Sequence, residues 1–265
     1  MRLKYKRLSL TLCLVMLLTP PALSGVEFDQ LNDYVTITDH ADFDFPRPFT
    51  ILAWINPDDW GDSSNGRILD HGGGAGADGW AILVNDTNDT LTFYENGGSG
   101  AGAVHGSVNA ITLNVWQHVA ISVGSGGAYQ FYVDGATAGN GSGLIDPAAD
   151  TDDLLIGARD TDKNREFDGT IAGVMLFSTD LSQAEVQSLM RNPFSVSANL
   201  LAHWPLYGKD STEVDLGPGG HNGTITGATD GNDNPPIGPM ISAYSGFTAA
   251  PVSAVRRRQN VLIGQ

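Results

Sequence analysis

Cysteine is nearly absent from the chain, which excludes disulfide bonds and a catalytic cysteine. The 265 residues include a single cysteine, Cys13, in a segment that we expect to be removed. The remaining chain can form no internal disulfide, so its stability must come from an apolar core, with bound metal as the other option. Catalysis by a cysteine nucleophile is likewise excluded.

Positive charge is also scarce. The chain has 14 lysine and arginine residues against 30 aspartate and glutamate residues, a net charge of −16. Four of the basic residues lie within residues 1–24, so a chain without that segment has 10 basic and 30 acidic residues and a net charge of −20. This excess of negative charge repels phosphate backbones and anionic lipids, so we predict neither nucleic acid nor an anionic membrane as a partner.

A long apolar run occurs only at the N-terminus, where residues 8–18 follow Arg2, Lys4, Lys6 and Arg7. A membrane-spanning helix needs about 20 apolar residues, so this run predicts no membrane insertion. Basic residues, a short apolar run and small residues up to Ser24 are typical of a secretory signal peptide, predicted here as residues 1–24. We therefore expect a secreted or cell-surface protein, or a virion-surface protein if this segment is not a signal.

The sequence that follows consists of short apolar runs separated by turn residues, with 33 glycines and 13 prolines. Residues 166–186 show the pattern in full. A turn at residues 167–169 precedes a β-branched run over residues 170–177, and Ser182 with Glu185 forms a capping box that predicts a short helix beginning at Gln183. The sequence thus predicts an all-β fold with one short C-terminal helix.

Several motifs occur in a fixed order between residues 26 and 190. They include Phe28-Asp29 followed by Asp33-Tyr34-Val35, then Phe49 to Ile55, Trp116 to Ala120, Phe131 to Gly135, Leu155-Ile156-Gly157, and Phe167-Asp168-Gly169 followed by Leu181-Ser182. In these residues the chain resembles the laminin-G-like jelly-roll domains of the concanavalin A-like lectin and glucanase superfamily. The resemblance implies an antiparallel jelly-roll β-sandwich over residues 25–192.

The C-terminal part contains a segment that usually opens such domains. Residues 200–206, followed by the Asp- and Gly-rich stretch 210–227, resemble that opening strand and its loop. We predict that residues 193–231 fold back to complete the sandwich, because domain termini often lie close together. The alternative is the remnant of a truncated second repeat. Residues 232–265 are predicted to form an extended or mobile tail.

Aspartate is concentrated in the turns, and one cluster has the spacing of a calcium loop. Asp160, Asp162 and Asn164 place oxygen side chains at alternate positions, as in the first half of an EF-hand, and Ca²⁺ prefers oxygen ligands. Arg165 stands where an EF-hand requires glycine, so this is not an EF-hand. The other interpretation is that Asp and Asn simply form turns. Because laminin-G-like domains often carry one calcium ion, the resemblance favours Ca²⁺ as a cofactor.

Aromatic and amide side chains in polar turns are candidates for binding a sugar. Trp60 lies in an acidic turn, Trp80 follows a glycine-rich loop, and Tyr94 and Asn96 precede another. An exposed aromatic ring can stack on a pyranose, and an amide can bond its hydroxyl groups. We predict these four residues as the ligand-binding set, and we expect Trp54 and Trp116 to be in the core.

These observations favour an exported, non-catalytic module that binds carbohydrate, with calcium as an aid. The alternative is a structural or adhesion protein that contacts another extracellular protein. A third option is an atypical glycoside hydrolase, because the superfamily includes enzymes with an E-x-D-x-x-E motif. The nearest match, residues 27–32, ends in Asn32, and an amide cannot deliver the proton that the acid must supply. H-E-x-x-H and G-x-S-x-G are absent as well, so we predict no enzyme activity.

Overall fold

The computed structural model describes residues 25–44, 46–72, 79–96, 103–107, 109–159, 163–207, 211–231 and 234–237. The predicted signal segment 1–24 and all of the predicted tail except residues 234–237 lie outside these ranges. The described residues all belong to one compact unit, residues 21–238. Within this part of the chain, no helix is both long enough and apolar enough to cross a membrane.

The described part of the chain contains sixteen strands and one α-helix. In chain order these are β1 (Val26–Asp29), β2 (Tyr34–Ile37), β3 (Phe49–Pro57), β4 (Arg67–His71), β5 (Gly79–Asn85), β6 (Thr90–Asn96), β7 (Ala103–Gly106), β8 (Gln117–Val123), β9 (Tyr129–Val133), β10 (Ala136–Gly141), β11 (Leu154–Ile156), β12 (Asp168–Phe177), α1 (Gln183–Arg191), β13 (Leu200–Trp204), β14 (Thr212–Glu213), β15 (Gly223–Thr226) and β16 (Thr229–Asp230).

The strands form two eight-stranded antiparallel sheets. The first sheet has the order β10-β9-β8-β3-β12-β1-β16, and β13 pairs with the second half of β12. The second sheet has the order β14-β15-β2-β11-β4-β5-β6-β7. Several connections cross from one sheet to the other, as in a jelly roll. The predicted jelly-roll β-sandwich with a single short helix is confirmed.

The core lies between the two sheets because apolar residues alternate along the strands. In β3 the side chains of Ile51, Ala53 and Ile55 belong to one large buried cluster, and those of Val35 and Ile37 in β2 join it from the second sheet. Alternate residues of a strand lie on the same face, so each sheet turns one apolar face inward. Complete burial of each Ile or Val side chain contributes about 1.5–3 kcal/mol.

The helix covers part of the outer face of the first sheet. Ser182 and Glu185 form the predicted capping box, and the helix begins at Gln183 as predicted. Its buried residues Val186 and Leu189 join a second cluster that contains Leu52, Ala120, Tyr132, Met175, Phe177 and Leu181. The strand members of this cluster, Leu52, Ala120, Tyr132, Met175 and Phe177, alternate with members of the central core, so they lie on the opposite face of the sheet.

The C-terminal segment supplies strands to both sheets. β13 pairs with β12, β16 pairs with β1, and β15 pairs with β2. Trp204 in β13 is fully buried in the central core, and its indole N–H donates to the backbone oxygen of His221 at 2.7 Å. Strands β13, β15 and β16 are therefore members of the two sheets.

Candidate functional site

Three connections between the sheets meet at one end of the sandwich: β1 to β2, β3 to β4, and β11 to β12. The Asn32 N–H donates to Glu166 Oε1 at 2.8 Å, and Gln30 Nε2 donates to Asp168 Oδ2 at 2.7 Å. The Asp62 N–H donates to the Glu166 backbone oxygen at 3.0 Å. Seven carboxylates lie on or beside these connections, and we call them the acidic rim: Asp29, Asp33, Asp58, Asp59, Asp62, Glu166 and Asp168.

The backbone of the rim adopts an uncommon conformation at several residues that are not glycine. Positive φ angles occur at Gln30 (63°), Asn32 (67°), Ser63 (54°), Lys163 (50°) and Arg165 (55°). Residues other than glycine rarely adopt this region, and each instance must be supported by the surrounding contacts. Clusters of such residues are typical of functional sites, so their concentration here identifies the rim as a candidate site.

Burial, with added repulsion between neighbouring carboxylates, raises the pKa of three rim residues. The pKa of Asp33 is raised to about 6, mainly by burial; a hydrogen bond from the Asp29 N–H opposes the increase, and the Asp29 carboxylate adds to it. Burial also raises the pKa of Glu166, with added repulsion from Asp62 and Asp29. The pKa of Asp168 is raised by burial and then by Asp58, Asp59 and Asp29. A cation, or hydroxyl donors from a ligand, would relieve this unfavourable concentration of negative charge.

Trp60 is the aromatic residue of the rim. Its side chain packs against the central core but remains partly exposed. The backbone turns back directly after it, because the Gly66 N–H donates to the Trp60 oxygen at 2.8 Å. Gly61 has a φ of 75°, and a Cβ there would collide with the Glu166 oxygen, so the turn requires glycine. Trp60 is therefore a partly exposed aromatic residue in the connection that also carries Asp58, Asp59 and Asp62.

Tyr94 lies on the second sheet and interacts with a buried arginine. The guanidinium carbon of Arg67 lies 5.1 Å from the centroid of the Tyr94 ring, and Arg67 Nε donates to Asp70 Oδ2 at 2.8 Å. Arg67 is only 5% exposed, and its Nη1 has no hydrogen-bond partner among the described residues. The Arg67 N–H donates to the Arg165 oxygen at 2.9 Å, so this pair adjoins the rim connection that carries Glu166.

Comparison with known proteins assigns the family. A laminin-G family model, described as concanavalin A-like lectin/glucanases superfamily, matches residues 28–187. The chain belongs to this laminin-G family. No curated protein matches it in sequence.

Solved structures with the same fold include carbohydrate-binding proteins. One is a Bacteroides ovatus protein to which carbohydrate binding is ascribed, with 21% identity, a TM-score of 0.62, and coverage of 79% of this chain and 60% of that one. The present chain thus spans less than two thirds of that protein. Another is the CBM40 of Ruminococcus gnavus IT-sialidase bound to α2,3-sialyllactose, with 12% identity, a TM-score of 0.50, and coverage of 63% and 98%. At these identities the likeness establishes the fold.

In this laminin-G domain the burial of Trp80 and Trp116 differs from the prediction. Trp80 is fully buried, and its indole N–H donates to the Phe43 oxygen at 2.8 Å, so it is a core residue and not a surface platform for a sugar. Trp116 is partly exposed rather than in the core, because it precedes β8 and is not paired within it. Trp54 is buried as predicted.

Some of the other predicted site residues lie outside the residues that the structure describes. Asn96 ends β6 opposite Gly79, and its side chain lies outside the described residues. Asp160 and Asp162 lie outside them as well. The Asn164 backbone oxygen accepts a hydrogen bond from the Arg159 N–H at 2.8 Å, and its buried side-chain Oδ1 has no donor among the described residues.

None of the seven rim carboxylates is among the site residues predicted from the sequence. In the sequence, Glu166 and Asp168 belong to a turn motif and Asp33 to a strand pattern, while Asp29 belongs to that pattern and to the incomplete E-x-D-x-x-E match. They come together because three connections distant in sequence cross at the same end of the sandwich. The shared signal was the recurrence of acidic residues beside strand ends, which by itself does not distinguish a turn from a site.

Proposed function

We propose that this protein is a non-catalytic carbohydrate-binding module that binds its glycan at the acidic rim around Trp60. The observation that carries the proposal is a partly exposed tryptophan in one of the three connections that meet at the acidic rim. A sugar ring offers an apolar face, on which an indole can stack, and hydroxyl groups, which donate to carboxylates. The carbohydrate-binding neighbours that share the fold support the same class of ligand.

Calcium is part of the proposal. The oxygen atoms that would hold it are those of Asp160, Asp162 and Asn164, and Ca²⁺ takes 6–8 oxygen ligands in flexible geometry. The supporting observation is the buried Asn164 Oδ1, an oxygen without a donor among the described residues. When bound, the ion would supply positive charge beside carboxylates whose pKa values are raised by burial and mutual repulsion.

Export is the remaining part of the proposal. The segment 1–24 would direct the chain out of the cell, where glycans of other cells or of the surrounding matrix are accessible. The glycan or an extracellular protein is then the expected partner. The test is whether a fusion of this segment to a reporter is secreted and is cut after Ser24.

A glycan array tests the binding proposal. We expect the protein without residues 1–24 to bind a defined set of glycans in millimolar calcium and to bind them more weakly in chelator. Trp60→Ala should abolish this binding. Phe194→Ala is a matched control, because Phe194 is a surface aromatic, 38% exposed, that lies beyond α1 rather than in the rim. Binding that survives Trp60→Ala would contradict the placement of the site.

Protein adhesion is the second candidate function, and one residue favours it. Leu31, at the tip of the β1–β2 connection, is 71% exposed and stands beside the carboxylates of the rim. An exposed apolar side chain surrounded by polar residues can form the buried centre of a protein interface. An array without hits in either buffer, together with a protein complex that Leu31→Ser disrupts, would support this function instead.

A further inference from the structure

The end of β2 opposite the acidic rim carries a second polar cluster, formed by His40, Asp42 and His221. β2 and β15 are antiparallel, and Gly223 pairs with Ile37. Residues just before Gly223 therefore meet residues just after Ile37, although they are far apart in the sequence. This pairing brings His221 against the 3-10 turn Ala41–Phe43, which His40 caps.

The potential ligand atoms of the three side chains are close enough to share one ion. One atom from each residue lies within 4.8 Å of those from the other two. His221 Nε2 lies 2.9 Å from Asp42 Oδ2, and His40 Nδ1 lies 3.4 Å from the same oxygen. Bonds of about 2.0–2.2 Å to a tetrahedral zinc ion place its ligand atoms roughly 3.3–3.6 Å apart, so small side-chain shifts would suffice.

His221 is held in place before any ion binds. Its side chain is only 9% exposed, and the Phe43 ring packs against it with a centroid distance of 4.9 Å. The His221 N–H donates to Asp215 Oδ2 at 2.8 Å, and the His221 oxygen accepts from the Trp204 indole. Gly219 lies against the imidazole, and a Cβ there would overlap it. A ligand fixed in this way loses little conformational entropy on binding a metal.

His40 and Asp42 face the solvent, with side-chain exposures of 52% and 38%. An ion can therefore enter, and a water molecule can take the fourth position. Coordination through His40 Nδ1 would give up its hydrogen bond from the Asp42 N–H, which is long at 3.1 Å. Two imidazoles and one carboxylate suit Zn²⁺ rather than Ca²⁺, which prefers oxygen ligands alone.

We propose that His40, Asp42 and His221 form a zinc site that fastens the C-terminal hairpin β14–β15 to the connection after β2. Zinc takes the place of the proton shared by His221 Nε2 and Asp42 Oδ2, and that proton goes to solvent. The ion would link two segments that lie 179 residues apart in the sequence. It is independent of the carbohydrate proposal, since it lies at the other end of β2.

Zinc titration of the chain tests the site. The protein is prepared without a polyhistidine tag and stripped of metal. Native mass spectrometry should then show one Zn²⁺ per chain, and excess Ca²⁺ should not displace it. Zinc should raise the melting temperature and slow hydrogen exchange of amides in residues 211–226, since binding to the folded state alone is stabilising.

Two variants locate the site. His40→Ser keeps an oxygen that can cap the 3-10 turn but removes the imidazole, and Asp42→Asn removes the shared carboxylate. Each should weaken zinc affinity by more than about tenfold, because even changes behind the ligands cost about 10–100-fold. The control His105→Gln removes an imidazole elsewhere, beside Glu95, and should leave zinc binding unchanged.

Two results would overturn the proposal. One is the absence of stoichiometric zinc in the wild-type spectrum at tens of micromolar free Zn²⁺. The other is equal zinc affinity in His40→Ser and wild type, which would place the bound ion elsewhere. Glycan binding by His40→Ser should match that of the wild type, so failure of the zinc site and failure of the carbohydrate proposal give different patterns.

Discussion

The backbone N–H of Asn32 donates to Glu166 Oε1 at 2.8 Å, although 134 residues separate the two in sequence. This hydrogen bond joins the β1–β2 connection to the β11–β12 connection. It also fixes one oxygen of Glu166. Burial raises the pKa of this carboxylate, and repulsion from Asp62 and Asp29 adds to the increase. Substitution of Glu166 can therefore show whether the acidic rim contributes to stability or to ligand binding.

Glu166→Gln should separate these two roles. Glutamine retains an oxygen for the Asn32 N–H but loses the charge. Because burial and neighbouring carboxylates raise the pKa of Glu166, its ionised form is disfavoured in the folded state, and the variant should be at least as stable as wild type at pH 7. Its glycan affinity should fall by about tenfold or more, since hydrogen bonds to charged groups contribute about 1.5–3 kcal/mol.

Urea denaturation measures the stability of Glu166→Gln, and titration with a glycan identified on the array measures its affinity. A variant that is destabilised and still binds would make Glu166 a purely structural residue.

Trp60→Ala should lose glycan binding and some stability as well. The stability loss is expected because the indole packs against the central core. Partial burial predicts a loss of about 1–2 kcal/mol, less than the roughly 3–5 kcal/mol of a fully buried tryptophan. Trp60→Phe is the matched control, because it keeps an aromatic ring and should retain part of both quantities. Loss of more than about 3 kcal/mol in Trp60→Ala would make Trp60 a core residue.

Deletion of residues 197–265 should prevent stable folding. It removes β13, β15 and β16, which pair with β12, β2 and β1, and it removes the buried Trp204. Exposed strand edges and apolar surface then favour aggregation. Circular dichroism melting and size-exclusion chromatography should show an unfolded or aggregated chain. The control is truncation after residue 237, which keeps every described strand. A cooperative melt at the wild-type temperature for the longer deletion would favour the truncated-repeat interpretation.

Acid should destabilise the fold through two buried histidines. Burial lowers the pKa of His118 to about 3 and that of His203 to about 4, while Asp215 partly opposes the effect on His203. An unfolded chain binds these protons below about pH 6.5, so stability falls as the pH drops from about 6.5 towards 4. His118→Phe keeps a ring against Trp54, since the ring centroids of His118 and Trp54 lie 5.3 Å apart. Between pH 7 and pH 5 the free energy of unfolding of this variant should fall by about 2 kcal/mol less than that of the wild type. Urea denaturation across this range measures the effect.

Asp33 provides a control of opposite sign for the pH series. Its pKa is raised to about 6, so the folded state holds the proton more tightly than the unfolded state between about pH 4 and 6. Relative to Asp33→Asn, the wild type should therefore gain stability as the pH falls through 6. If both variants change the pH dependence in the same direction, burial does not govern these two groups.

Strand and helix positions could be predicted because they depend on local sequence. The run 170–177 lies within β12, and Ser182 with Glu185 starts α1 at Gln183. Period-two alternation and a capping box act over a few residues, so no distant contact is needed to recognise them. The order of motifs along the chain then identified the jelly roll and the family.

Burial of individual aromatic residues could not be predicted in the same way. Trp60 and Trp80 both stand beside turn residues, yet one is partly exposed and the other fully buried. The difference depends on Phe43, which accepts the Trp80 N–H and belongs to a distant turn. The opposing sheet decides which side of a strand faces the core. The contacts between the two sheets join residues far apart in the sequence, so they cannot be recognised from local sequence patterns.

The amino-acid sequence by itself determined the positions of strands and helix, the excess of negative charge and the family. Only the tertiary structure decided which polar residues meet. Glu166 reaches Asn32, and His221 reaches Asp42, because antiparallel pairing and connections between sheets bring together residues more than 130 positions apart. Local chemistry sets the elements because their hydrogen bonds and side-chain periodicity are short-ranged. The sites depend on long-range contacts, so their members are known only once the two sheets are packed together.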